Sequence, residues 1–291
     1  MKIIIALLLS CFSMLSYAVL PAQFKVYQTG VGTANSICRV LFDEYNKEYN
    51  ANTLISVKSG ASGMMAMLDM IKDKNFSVQC GTSLSESVFN ITTYPGNEEA
   101  HNLLTMVSMI AEGTTVFTTR YDSPYNTLPE LLKSNKPLMI GYHATTPKIS
   151  AEIVVGSSPV TWVAYKTSAD AISSLIDGSL DFYVDGGGLI PLIQSKKLKS
   201  LGHLNGLDSS PGIDLKKEYP DASRVKIIFA IVTSKNNASV DIEELNSRIR
   251  KLMLNDAVIN SIVQSSYLPT IKTVKESNDY IDNFKKRYNV K

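Results

Sequence analysis

The segment Val26–Lys47, VYQTGVGTANSICRVLFDEYNK, holds the pattern from which the fold follows. A short apolar strand runs into a turn with two glycines, and the turn runs into a helix expected over Ala34–Lys47. Ile37, Val40, Leu41 and Tyr45 recur at helical spacing and mark the face that packs inward. Gly30-Val31-Gly32 matches the start of the dinucleotide fingerprint G-x-G-x-x-G, but Asn35 stands where the third glycine belongs, so the match is weak. A more general property survives. A helix starting at Thr33 or Ala34 aims unpaired N–H groups and the positive end of its dipole into the turn, which can then hold a small anion.

The same grammar repeats along the first half. The strand TLISVK is followed by SGASGMMAMLDMIK, in which Met64, Met67, Leu68 and Ile71 share a face that reads as core filling. FSVQC is followed by GTSLSE, where Ser83 and Glu86 have capping-box spacing. Three strand–turn–helix units in a row predict an α/β sheet that is mostly parallel. LLTMVSMIAEGTTVFTTR then reads as one long or broken strand. After it come SPYNTLPELLKSN with a Thr127–Glu130 capping box, the strand PLMIGY, and HATTPKISAEIV with Thr146 as cap and Pro147 at the first helical position. VTWVAY precedes a helix capped by Thr167 with Asp170 and ended by Gly178, and LDFYVD follows as a buried strand. VKIIFAIVTS returns the chain to the first lobe, and three helical segments close it, the last after a Thr273–Glu276 box. Two crossings, near 112–122 and 226–234, make a hinge between two lobes that can close on a ligand. The expected lobes are 19–116 with 232–291, and 117–231.

The first eighteen residues, MKIIIALLLSCFSMLSYA, have the charge, apolar run and small-residue end of a secretory signal peptide, with cleavage after Ala18. The run Ile3–Leu9 is too short to span a bilayer; lipoprotein processing at Cys11 would leave a very short leader. Export to the periplasm is the expectation. The remainder of the 291 residues is too long for one ordinary core, consistent with two lobes. The formal net charge is only +2, which gives no reason to expect nucleic acid as a partner. With 44% hydrophobic residues and no low-complexity tract, the chain is not of the disordered class. Cys38 and Cys80 remain after the leader. An oxidising compartment permits a bridge between them, and two separately buried thiols are the alternative.

Enzyme chemistry finds few players. His101, His143 and His203 are far apart in sequence and show no metal-ligand spacing, so no metal is expected. GASG at 60–63 is one residue short of the nucleophile elbow G-x-S-x-G, which leaves Ser62 poorly supported as a nucleophile. No phosphate loop of the G-x-x-x-x-G-K-[ST] type is present. Asp177, Asp181 and Asp185 straddle a helix end and a strand and share no face. No nucleophile–base pair can be named, and neither catalytic residues nor a cofactor are expected. Four strand-to-helix turns instead offer amides and hydroxyls: TGVGT at 29–33, SGAS at 59–62, GTS at 81–83 and ATT at 144–146. Each alone is ordinary capping and turn chemistry. Together, at the carboxyl edges of open sheets, they point to a cleft that binds an anion without arginine. Arg39, one turn into its helix, reads as a solvated surface residue.

The order and spacing of these segments resemble the periplasmic receptors of tripartite tricarboxylate transporters, the Bug-type solute-binding proteins. TGVGTANSICRVLFDEYNKEYNANTLISVKSGASGMMAMLDMI is similar to the family's opening, with its two Gly-rich turns. NLLTMVSMIAEGTTVFTTRYDSPYNTLPELLK is similar to its crossing segment, and LMIGYHATTPKISAEIV to its G-x-G-T-x-x-H-L-A-x-E stretch. AYKTSADAISSLIDGSLDFYVDGGGLIPLIQSKKLKSLG is the clearest likeness, to P-Y-K-G-x-x-x-A-x-x-x-L-L-G-G-x-V-D-x-x-F-D. The C-terminal LNSRIRKLMLNDAVINSIVQSSYLPT fits as well. The resemblance implies a two-lobed type II periplasmic-binding fold and no catalysis. It implies a monomer that captures a small organic acid, commonly a di- or tricarboxylate, and delivers it to the permease subunits of a secondary transporter. By position it places Gly32, Thr33, Ser59, Ser62 and Ser83 on the first lobe's wall, and Thr145, Thr146 and Asp185 on the second's; Thr29 and Thr82, from the same turns, join the candidate ligand-binding residues. The chain departs from the pattern in lacking the prolines of both early turns, in KSGASG without arginine, in a shortened stretch after Glu152, and in Ile149 at a position usually histidine. Rival readings are a binding protein of an ABC-type importer, a non-transport sensor of the same fold and, least favoured, a secreted hydrolase.

Overall fold

The computed structural model describes residues 20–29, 33–58, 60, 63–89, 97–134 and 136–287. The leader therefore lies outside the described residues. The chain alternates strand and helix through β1 (Gln23–Gln28), α1 (Thr33–Tyr49), β2 (Asn52–Val57), α2 (Met64–Lys72), β3 (Ser77–Gly81), α3 (Ser83–Phe89) and α4 (Asn97–Leu103), and ends its first pass in β4 (Leu104–Gly113). One residue later β5 (Thr115–Arg120) opens the second lobe. It is followed by α5 (Leu128–Leu132), β6 (Leu138–Tyr142), α6 (Thr145–Val155), β7 (Val160–Ala164), α7 (Ser168–Ile176), β8 (Phe182–Gly186), α8 (Ile190–Gln194) and β9 (Leu198–Leu204). The return strand is β10 (Ile227–Ser234), and α9 (Ser239–Leu252), α10 (Asp256–Gln264), β11 (Tyr267–Pro269) and α11 (Val274–Arg287) complete the chain.

Each lobe is an α/β unit on its own sheet, with strand orders β11-β4-β10-β3-β1-β2 and β7-β6-β8-β5-β9. Both sheets are mixed rather than mostly parallel. Strands joined through helices are parallel, as in β2-β1-β3 and β7-β6-β8. β10 runs antiparallel to both β3 and β4, and β5 to both β8 and β9. The physical reason is connectivity. A helical crossover returns a strand in the same direction, whereas β4 passes straight into β5 and β10 comes back beside β4.

The long strand expected over 103–120 breaks at Thr114. Its hydroxyl, buried at the break, donates to Ser266 O at 2.9 Å. Here the two sheets exchange, and β10 re-enters the first sheet opposite Gly113. Lys226, just before it, pairs with Glu112 at 3.1 Å. The joint is packed tightly: a Cβ on Gly187 would fall 2.7 Å from Ser266 Cβ and 2.8 Å from Ser265 O.

Cores lie on both faces of each sheet. One face of the first buries Phe24, Val26, Leu41, Tyr45, Phe229 and Ile249 under α1, α9 and α10. The opposite face buries Met64, Met67, Met70, Met106 and Phe284 under α2 and α11. The methionine stripe is rotated from the expected one: Met70 joins Met64 and Met67 in the core, while Leu68 and Ile71 pack only partly buried. All eight residues of β10 are buried, which explains its unbroken apolar sequence. In the second lobe Phe117, Ile140 and Phe182 pack beneath α6, and Val116, Tyr183 and Leu175 on the other face. Cys38 on α1 and Cys80 on β3 form a disulfide across the first core, with Cα atoms 6.1 Å apart.

Candidate functional site

In the first lobe, three strand-end turns meet at Gly63. Its φ of 93° is left-handed, and a Cβ built there would fall 2.1 Å from Ser83 Oγ and 2.7 Å from Thr29 Cγ2. Only glycine permits so close an approach. The turns after β1, β2 and β3 therefore converge, which brings Thr29 and Ser83 together. Thr82 is half-buried beside Ser83, and Thr33 opens α1. Gly32, Ser59 and Ser62 lie outside the described residues. Ser83 Oγ accepts from Gln79 Nε2 at 2.8 Å. Gln28, the last residue of β1, is fully buried, and neither atom of its side-chain amide has a partner.

The second lobe faces this cluster with the start of α6. Its N-cap is Ala144, which has no side chain to offer, and Thr146 does not cap. That work is done from the other lobe. Glu86, on α3 one turn beyond Ser83, sends Oε2 to accept from Thr145 N at 2.7 Å and from Thr146 N at 3.1 Å. Its local capping-box spacing with Ser83 is thus spent on a contact between lobes. Glu86 is 6% exposed, so the contact is dry, and Thr146 beside it is fully buried. The amides expected to hold a ligand at 145 and 146 already hold a carboxylate.

Beside α6 lies a second polar cluster. Asp185 Oδ2 accepts from Tyr183 Oη at 2.7 Å and from Ser168 Oγ at 2.9 Å, and Asp185 Oδ1 accepts from Gly186 N at 2.7 Å. His143 Nδ1 stands 2.7 Å from the Tyr183 hydroxyl and 3.3 Å from Asp185 Oδ2. Burial and the neighbouring Asp185 push the Tyr183 hydroxyl far above its usual pKa, so it stays a neutral donor. Tyr267, from the C-terminal segment, has its hydroxyl driven up by burial and then by the fields of Asp185 and Glu86. Asp185 was legible in the sequence; Ser168, Tyr183 and Glu86 as site residues were not. Glu86 in particular carried only a capping signal. Among the described residues, no group of three His, Cys, Asp or Glu side chains is placed to hold a metal.

Burial is the main influence on Glu86 and holds its carboxyl above the ordinary 4.5, against the pull of the Thr146 and Thr145 amides and of His143. A raised folded pKa means that the folded state binds the proton more tightly than the unfolded chain. This contribution to stability is greatest below 4.5 and is lost as pH rises through the folded value. Glu86→Gln is expected to flatten the decline in melting temperature as pH rises above 4.5. An unchanged slope would show that Glu86 does not titrate in this way.

Two α/β lobes, each on its own sheet, with the start of α6 in one packed against α3 of the other, define a two-lobed periplasmic-binding fold. The chain belongs to the tripartite tricarboxylate transporter receptor family, whose model matches residues 37–290. It is a family of periplasmic solute-binding receptors that work with a membrane transporter, not of enzymes. Among solved structures, an R. palustris protein with adipate shares 17% identity at a TM-score of 0.81, covering 92% of this chain and 96% of its own. The periplasmic binding protein BugD shares 14% at 0.73, covering 93% and 99%. MatC from Rhodopseudomonas palustris with bound malate shares 14% at 0.69, covering 85% and 90%. At these identities the likeness establishes the fold. No curated protein sequence matches the chain. Among the described residues, no helix is long and apolar enough to cross a membrane.

Proposed function

We propose that the protein captures a small organic acid between its lobes and delivers it to the permease subunits of a secondary transporter. Family membership supports the receptor role, and solved relatives of the same fold carry adipate and malate. One observation in this chain carries the choice of an acid. Where the lobes meet, helix-start amides of one hold the carboxyl group presented by the other. Charge-assisted bonds of this kind contribute roughly 1.5–3 kcal/mol each. The ligand's carboxylate belongs at the turns that meet around Gly63, with Thr29, Thr82 and Ser83 as its candidate contacts; Gly32, Thr33, Ser59 and Ser62 are candidates from the sequence alone. Asp185 faces it from the second lobe. The lobe limits we propose are 19–116 with 232–291, and 117–231; the sheets exchange at Thr114 and Lys226, a few residues from those limits. Export by a cleaved leader ending at Ala18 and action as a monomer complete the reading.

Titration with a panel of carboxylates, followed by melting temperature, tests it. An acid at 100 times its Kd is expected to add about 2.7 kcal/mol of stability. No shift with any acid, alongside a shift with an amine or a sugar, would reject the carboxylate ligand.

A further inference from the structure

We propose that the cleft selects acids with a single carboxylate, because Glu86 fills the α6 amides on which a second carboxylate would be seated. The inference rests on the acid-receptor reading above and narrows it from di- or tricarboxylates to monoacids. Thr145 N and Thr146 N are the first two helical amides of α6, an eleven-residue helix whose dipole favours negative charge at that end. Both donate to one oxygen of Glu86. The acid is delivered by α3, whose first residue, Ser83, lies against the Gly63 turn. One turn of helix thus separates the wall that takes the ligand's carboxylate from the group that blocks a second one.

The blocking group is not easily displaced. Glu86 and Thr146 are both buried, so turning Glu86 out would leave two amides of a dry contact without their acceptor. Staying in place, it keeps both amides from an incoming carboxylate, whatever its own protonation state. Asp185 has donors of its own in Ser168, Tyr183 and Gly186, so it gains nothing from a ligand acid. A distal hydroxyl needs neither amide. It can donate to a carboxylate, and the mismatch that penalises a diacid is removed.

Length-matched probes separate the cases: succinate against 4-hydroxybutyrate, and adipate against 6-hydroxyhexanoate, titrated calorimetrically into the mature chain. At least one hydroxy acid is expected to bind tenfold or more tighter than its diacid. Glu86→Ala frees the two amides and is expected to shift that ratio at least tenfold toward the diacid. Glu86→Gln, which keeps one oxygen for the amides but gives up the carboxyl group, is expected to fall between. Should the alanine variant fail to fold, the ratio in the glutamine variant decides. A diacid binding the wild type as tightly as its hydroxy acid, or a ratio indifferent to both substitutions, overturns the proposal while leaving an acid receptor intact. If neither pair binds and an amine or sugar does, the acid reading falls and this inference with it. Silence from all of these probes likewise counts against both.

Discussion

Reducing the Cys38–Cys80 bridge is expected to cost about 4 kcal/mol of stability, from the chain-entropy relation for a loop of 42 residues. The bridge acts on the unfolded chain. It closes a loop that runs from α1 through β2 and α2 to β3, so the oxidised unfolded ensemble has fewer conformations to lose. In the folded state it links a helix to the sheet it already covers, with both sulfurs buried in the first core. Guanidinium melts of the oxidised protein, the reduced protein and a Cys38→Ala, Cys80→Ala double variant would measure the effect. The reduced chain should also show a larger m-value, because its unfolded state is less compact. Equal midpoints in the oxidised and reduced proteins would mean that the link contributes nothing.

Gly63→Ala is the second large effect. A β-carbon at a φ of 93° costs about 1–2 kcal/mol from its own backbone. Forcing it against Ser83 and Thr29 costs about 1–3 kcal/mol more. Relief requires the turn to move, and that turn is where the ligand's carboxylate is proposed to sit. Loss of acid binding is therefore expected along with a lower melting temperature. Adding Ser83→Gly removes the two nearest clashing atoms and should recover part of the stability, but not the part charged to φ. If Gly63→Ala binds and melts like the wild type, the three turns do not converge in solution as they do here.

The secondary structure was readable because its rules are local. Period-two and helical spacing marked β1, α1, α2 and β10, and capping boxes at Thr127–Glu130 and Thr273–Glu276 form as spaced. Gly178 ends α7 with a positive φ for the same reason. Ser83–Glu86 shows the limit of such rules. Four residues with capping spacing contain no sign that the acid will turn away to another helix 59 positions on. The sense of the crossing strands was equally hidden, since an apolar strand reads the same in a parallel or an antiparallel sheet.

Family, lobed α/β architecture and the presence of amide-rich turns were set by the order of residues along the chain, because hydrophobic period, glycine and capping are properties of neighbours. What lies across the gap was settled only when the lobes were brought together. There the helix start at Thr145 found its counter-charge in Glu86, and the tyrosine of β8 found Asp185 and Ser168. Burial makes both choices: once water is excluded, the Thr145 and Thr146 amides and the Asp185 carboxylate are satisfied by what the fold places within reach, however distant it is in sequence.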